Sequence, residues 1–258
     1  MRFSGQQTVD SKPDFFNALR MAFGFLTVFP VPQRKEWSDL DFGWSAVFFP
    51  LTGALIGALA GFAYGLLSDL LAKPAAAFLA MILWILLSGG LHWDGLADCM
   101  DGFGCSASPE KRLEIMKDSR LGTFGALGIF CSLILKWLGI LYFPHTGQEP
   151  LYFALAGASA RWAMLFLISL PLVNPNGLAA MLRKHCPRLI PLYALPVPLI
   201  LALCCRPFGI LYPVIDLLLT GLVALLAKRK IGGVNGDVLG FSIELSEIVL
   251  LLAAQVLP

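Results

Sequence analysis

Seven apolar runs, each close to the roughly 20 residues that carry a helix across a bilayer, occupy residues 44–72, 75–93, 122–143, 151–172, 190–205, 209–227 and 238–257. Only short polar links separate them, which leaves no room for a soluble domain. Charged residues make up 14% of the 258-residue chain, against about 25% in ordinary soluble domains, and mean hydropathy is +0.75. The expected architecture is therefore an all-α, polytopic integral membrane bundle of about seven transmembrane helices. Residues 15–31 are marginal for a further span, being interrupted by Arg20 and closed by Pro30 and Pro32; an interfacial or re-entrant helix is the alternative.

Residues 1–14 are polar and lack the apolar core of a cleavable signal, so they read as a short tail before one transmembrane domain over 15–258. The six cysteines form no C-x-x-C pair and lie mostly in or beside apolar runs, the pattern of buried thiols rather than of disulfides or a zinc site. The run 44–72 carries Gly53, Gly57, Gly61 and Gly65, a four-residue spacing that lets membrane helices approach closely, within the chain or between subunits of a homo-oligomer.

Lysine and arginine set the orientation. One set of alternate links holds Arg34 and Lys35, then Lys111, Arg112, Lys117 and Arg120, then Arg183, Lys184 and Arg188, then Lys228, Arg229 and Lys230; the opposite set holds Lys73 and Arg206. The first set is expected on the cytoplasmic side of an inner or plasma membrane. A net charge of +2 gives no sign of a nucleic-acid partner.

Against this apolar background the stretch SGGLHWDGLADCMDGFG, residues 88–104, stands out. Asp94, Asp98 and Asp101 share one helical face, since offsets of four and seven return to the same side at about 100° per residue. Carboxylates beside hydrocarbon need a polar cavity, a partner or an ion. The competing reading is a solvated helix end just outside the membrane. Oxygen-only ligands suit a hard divalent cation, and Mg²⁺ in particular binds through one or two carboxylates plus substrate phosphates. A phosphate-bearing substrate follows.

Two further links fall on the same side. EIMKDSRLGTFG adds Asp118 as a metal-ligand candidate and Lys117 and Arg120 as phosphate partners, although basic residues alone are ordinary in a cytoplasmic loop. The link 102–121, through its Ser108-Pro109-Glu110 start, also predicts a short helix beginning at Pro109. GGVNGDVLGFSIELSE supplies Asp237 as a ligand candidate and Asn235, Gly236 and Glu244 as substrate contacts; Asp237, Glu244 and Glu247 lie on one helical face. Arg161, in the middle of its run, must meet a carboxylate or a substrate phosphate, whether in catalysis or in a structural ion pair. His92 is a candidate ligand or base, or a packing residue; mid-run Lys136 receives no role.

The runs GGLHWDGLADCMDG, EIMKDSRLGTFG and GGVNGDVLGFSIELSE, with the earlier FLTVFPVP, resemble the motifs of the cobalamin synthase family in the family's order from residue 25 to 247. That resemblance implies a membrane-embedded Mg²⁺-dependent adenosylcobinamide-GDP ribazoletransferase, which joins adenosylcobinamide-GDP to α-ribazole or its 5′-phosphate and releases GMP. The chain departs from the family's usual pattern at Cys99-Met100, where Thr-Cys or Thr-Ala is frequent, and at Ala160-Arg161, where Ser-Arg is frequent, so hydroxyl roles there do not transfer.

The implied chemistry is phosphoryl transfer, with Asp94, Asp98, Asp101, Asp118 and Asp237 as the pool of metal ligands. Asp98 or Asp101 would be the base, and Lys117, Arg120 and Arg161 would hold phosphate oxygens. The Asp98-x-x-Asp101-Gly102 core also looks like the start of the CDP-alcohol phosphotransferase signature, but the later part of that signature is missing. A lipid-headgroup phosphotransferase is therefore the alternative enzyme. An ion-coupled transporter or an assembly subunit is the alternative outside enzymes.

Overall fold

Each apolar run becomes helix in a computed structural model that describes residues 12–32 and 38–256. Most of the polar tail, and Arg34 and Lys35, lie outside the described residues. In chain order the helices are α1 (Phe15–Leu26), α2 (Asp39–Ser45), α3 (Phe49–Ser68), α4 (Lys73–Leu87), α5 (Leu91–Gly104), α6 (Pro109–Met116), α7 (Thr123–Leu141), α8 (Glu149–Ile168), α9 (Leu178–His185), α10 (Ile190–Ala194), α11 (Pro196–Cys204), α12 (Leu211–Ile231) and α13 (Gly236–Ala253). Among the described residues the only extended pairing is a parallel bridge between Leu172 and Val234, which ties the α8–α9 link to the α12–α13 turn.

The glycine stripe of α3 works within the chain. A Cβ at Gly53, Gly57 or Gly61 would strike the backbone of Gly157, Phe153 or Glu149 on α8, and Gly157 meets Gly53 reciprocally. Close backbone approach of this kind supplies van der Waals contact where lipid offers no hydrophobic drive. Gly65 lies beyond the contact, with only the Glu149 side chain near it. Helix α8 becomes the hub, buried along most of its length, while α7 and α12 turn most of theirs outward.

Among the described residues, four helical segments are long and apolar enough to cross a membrane, or up to six if two bent pairs each count as one span; the expected figure of seven is not reached on that measure. Two features explain the difference. Helix α13 carries three acids, Asp237, Glu244 and Glu247, although it packs in the bundle; the expected run 75–93 is bent between α4 and α5, and the run 190–205 is a short segment that follows a sharp bend from α9.

The run 75–93 does not lead straight into the aspartate stripe, because α4 and α5 meet at 94°. Gly89 and Gly90 there have φ of +65° and +67°, a left-handed conformation open to glycine and strained for other residues. Similarly, α9 and the α10–α11 pair meet at 91°. Helix α1 has 12 residues, about 18 Å at 1.5 Å per residue, which is short of a roughly 30 Å hydrocarbon core and fits the interfacial alternative. The Ser108 hydroxyl accepts from the Lys111 N–H and starts α6 as the sequence predicts.

Candidate active site

Helices α5 and α13 cross with almost no side chain between them. A Cβ on Gly95 would lie 2.7 Å from the Asp237 carbonyl oxygen, and one on Gly240 would lie 3.3 Å from the His92 backbone. This contact brings the α5 stripe against the first turn of α13. Asp98 lies within electrostatic reach of Asp237, Asp94 and Asp101, and Asp237 within reach of Asp94. The Asn235 side chain caps α13 by accepting from the Val238 N–H, and its amide donates to Asp237 Oδ2 at 2.7 Å. Gly236 has open space around its Cα.

The three stripe acids have different surroundings. Both oxygens of Asp101 accept backbone hydrogen bonds at 2.8 Å, from Gly122 and Gly125 at the start of α7. A carboxylate there meets the positive end of the helix dipole and satisfies two otherwise orphaned N–H groups. Asp101 thus anchors α7 to α5. Asp94 is exposed and Asp98 half-buried, and among the described residues no cation pairs with either. Among the described residues no group of three His, Cys, Asp or Glu side chains converges as a closed metal cage would. What Asp94, Asp98 and Asp237 offer is an open set of carboxylate oxygens, the kind of partial shell that Mg²⁺ completes with water and substrate phosphate.

The α6–α7 link stands apart from this group. Arg120 donates to Asp118 through Nε at 3.0 Å and Nη2 at 2.6 Å, a bidentate pair on the surface. The guanidinium holds the Asp118 carboxyl down at about 2. Lys117 beside it is exposed.

Below the acids opens a cleft of about 200 Å³. Asp94, Asp237 and Gly236 form its polar part. Phe25, Phe42, Phe49, Met164 and Leu182 line the rest, from α1, α2, α3, α8 and α9, with His92 among them. The Phe25 ring stands 6.0 Å from Phe42 and 6.1 Å from Phe49.

Deeper still is a buried ion cluster. Lys136 of α7 donates to Glu244 Oε2 at 2.8 Å and to Glu247 Oε2 at 2.5 Å, and Arg161 of α8 donates to Glu247 Oε1 at 2.6 Å and to the Gly157 carbonyl. Lys136 also sits 5.1 Å from the ring of Trp84 and 5.5 Å from that of Trp93. The two cations and two anions balance, and all four side chains have at most 1% exposure. The expectation that Arg161 needs an acid is met by Glu247, while Glu244 is engaged with Lys136 rather than turned to the cleft.

Several of these contacts were not foreseen from the sequence. The role of Lys136 was signalled only by a charge in mid-span, which is costly unless paired. Arg112 donates to the carbonyls of Gly102 and Phe103, and Lys230 also reaches Phe103, so two cations close the C-terminus of α5. The basic content of those links hinted at them, but their targets did not show.

The family model described as cobalamin-5-phosphate synthase matches residues 18–255. A protein from Bradyrhizobium diazoefficiens named adenosylcobinamide-GDP ribazoletransferase is 36% identical over 92% of each chain. Proteins with the same name from Ralstonia pickettii and Geobacillus kaustophilus are 35% and 32% identical, over 92% and 91% of this chain and 94% of theirs. No solved structure matches the chain. With acids, aromatic cleft and ion cluster all inside the matched span, the chain belongs to the cobalamin-5-phosphate synthase family.

Proposed function

We propose that the chain catalyses the reaction its relatives are named for, the joining of adenosylcobinamide-GDP to α-ribazole or its 5′-phosphate with release of GMP. The observation that carries this reading is the meeting of Asp94 and Asp98 with Asp237 across the Gly95 contact, three acids with no cation from the described residues among them, beside a cleft. Such a group suits the handling of a diphosphate ester through a divalent cation.

Asp94 and Asp237 would hold Mg²⁺. Bound there, the ion supplies Lewis-acid stabilisation of charge on the phosphate oxygens. Asp98, half-buried and uncommitted, takes the proton from the ribazole hydroxyl as that oxygen attacks the phosphorus attached to cobinamide. The bond from that phosphorus to the GMP oxygen breaks, and GMP leaves with the bonding electrons. Asp101 keeps α7 and its preceding link in place. Release of Arg120 from Asp118 would free its planar fork for a non-bridging oxygen, with Lys117 as a second cation.

Orientation follows the charge pattern. Lys111, Arg112, Lys117 and Arg120 follow α5 and Lys228, Arg229 and Lys230 precede α13, the two helices that carry these acids, with Arg183 and Lys184 in the same set of alternate links, against Lys73 and Arg206 in the opposite links, which supports an active site facing the cytoplasm. The test is direct. Detergent-purified protein is incubated with Mg²⁺, adenosylcobinamide-GDP and α-ribazole, and GMP is followed by chromatography. GMP that appears only with all three present upholds the reading; none above the protein-free control rejects it.

A further inference from the structure

His92 is 3% exposed and neither ring nitrogen has a hydrogen-bond partner among the described residues. Its closest acid, Glu244 Oε1, is 3.8 Å from Nδ1, beyond hydrogen-bond range. A buried imidazole normally finds partners, because an unmade hydrogen bond costs about 1–3 kcal/mol. His92 is among the residues that line the aromatic cleft, so a ligand in that cleft could supply what the protein does not.

Size and polarity narrow the ligand. Sites for whole drug-sized molecules occupy about 300–1,000 Å³; this cleft, at about 200 Å³, suits one fused heterocycle and excludes a corrin ring. Two heterocycles take part in the proposed reaction. Guanine presents several donors and acceptors along its edges, which the walls formed by Phe25, Phe42, Phe49 and Met164 would leave unpaired. A dimethylated benzimidazole joined to ribose is flat, apolar and has one free ring nitrogen. One buried, unpartnered imidazole matches that single acceptor.

We propose that this cleft seats the base of the acceptor nucleoside, with the His92 N–H donating to the free nitrogen of the benzimidazole. The assignment rests on the transferase reading and deepens it. With the base between the phenylalanines, the ribose lies toward Asp94, Gly236 and Asp237, where its hydroxyl is to react. Ala179, on the cleft wall from α9 and 7% exposed, sets how large a base can enter.

The test compares wild-type protein with His92→Phe and Ala179→Leu. KM is measured separately for α-ribazole and for adenosylcobinamide-GDP, and binding of free α-ribazole is measured by equilibrium dialysis without the donor. His92→Phe should raise KM for α-ribazole about fivefold to tenfold, the loss of one hydrogen bond, with the donor KM unchanged. Ala179→Leu should raise it more for α-ribazole than for the riboside of unmethylated benzimidazole. An unchanged donor KM also certifies that each variant is folded.

Variants that raise only the donor KM, or that bind α-ribazole as wild type does, overturn the assignment while GMP release by wild type keeps the reaction standing. If wild type releases no GMP, the reaction falls, and dialysis still decides the cleft: binding of α-ribazole weakened by both substitutions upholds it, and no binding removes it.

Discussion

Helix α13 carries two acidic groups that meet opposite circumstances. Asp237, in its first turn, stands with Asp94 and Asp98 where no cation among the described residues balances them. Two to three turns further along, Glu244 and Glu247 are sealed from solvent and matched by Lys136 and Arg161. The difference teaches how to read acids in a membrane bundle. A charge-balanced cluster is neutralised within the fold, whereas an unbalanced group beside a cleft calls for a ligand's charge.

The sharpest way to break this comparison is at Asp98. Replacing it with Asn removes a base while keeping shape, so GMP release should fall by about 10²–10⁴-fold with no change in thermal unfolding. Activity within a few-fold of wild type would take Asp98 out of the mechanism. At Lys136 the readouts are reversed. Lys136→Met leaves two buried carboxylates with one cation and should destabilise the protein by about 3–5 kcal/mol, seen as a lower melting temperature in detergent; an unchanged melt would mean the cluster is not holding the bundle.

Gly95→Ala tests the contact that brings the acids together. Its new Cβ meets the Asp237 backbone at 2.7 Å, so α13 must shift at a cost of about 1–3 kcal/mol, and activity should drop further than stability does. Wild-type GMP release from this variant would show that the crossing does not position the site.

The smallest effect belongs to the exposed Asp118–Arg120 pair. The Asp118 carboxyl is held at about 2, below its unfolded value of about 4. What the pair adds is therefore present above pH 4 and lost only as pH falls through about 2. Between pH 8 and 4 a titration of Asp118 by NMR should show it ionised throughout in wild type, with a midpoint near 4 appearing in Arg120→Gln. The same midpoint in both proteins would dissolve the pair.

Much of the site was legible in the sequence because it is local. The offsets of Asp94, Asp98 and Asp101 define a stripe on any helix, and the spacing of Gly53, Gly57 and Gly61 announces close packing. What stayed hidden depends on fold. Hydropathy does not register the left-handed turn at Gly89 and Gly90, so the run 75–93 reads as one straight span. The anchor from Asp101 to Gly122 and Gly125 and the Lys136 cluster join positions 21 to 111 residues apart. No periodicity reports such a pairing.

The contrast between the two acidic groups is tested most directly by neutralising part of the buried cluster without unbalancing it. In Lys136→Met/Glu244→Gln, one cation and one anion are removed together, leaving Arg161 paired with Glu247. We predict a double variant that melts well above Lys136→Met and releases GMP within a few-fold of the wild-type rate. A double variant that melts like wild type yet is as inactive as Asp98→Asn would contradict the account, because the buried cluster would then belong to the chemistry and not to the frame around it.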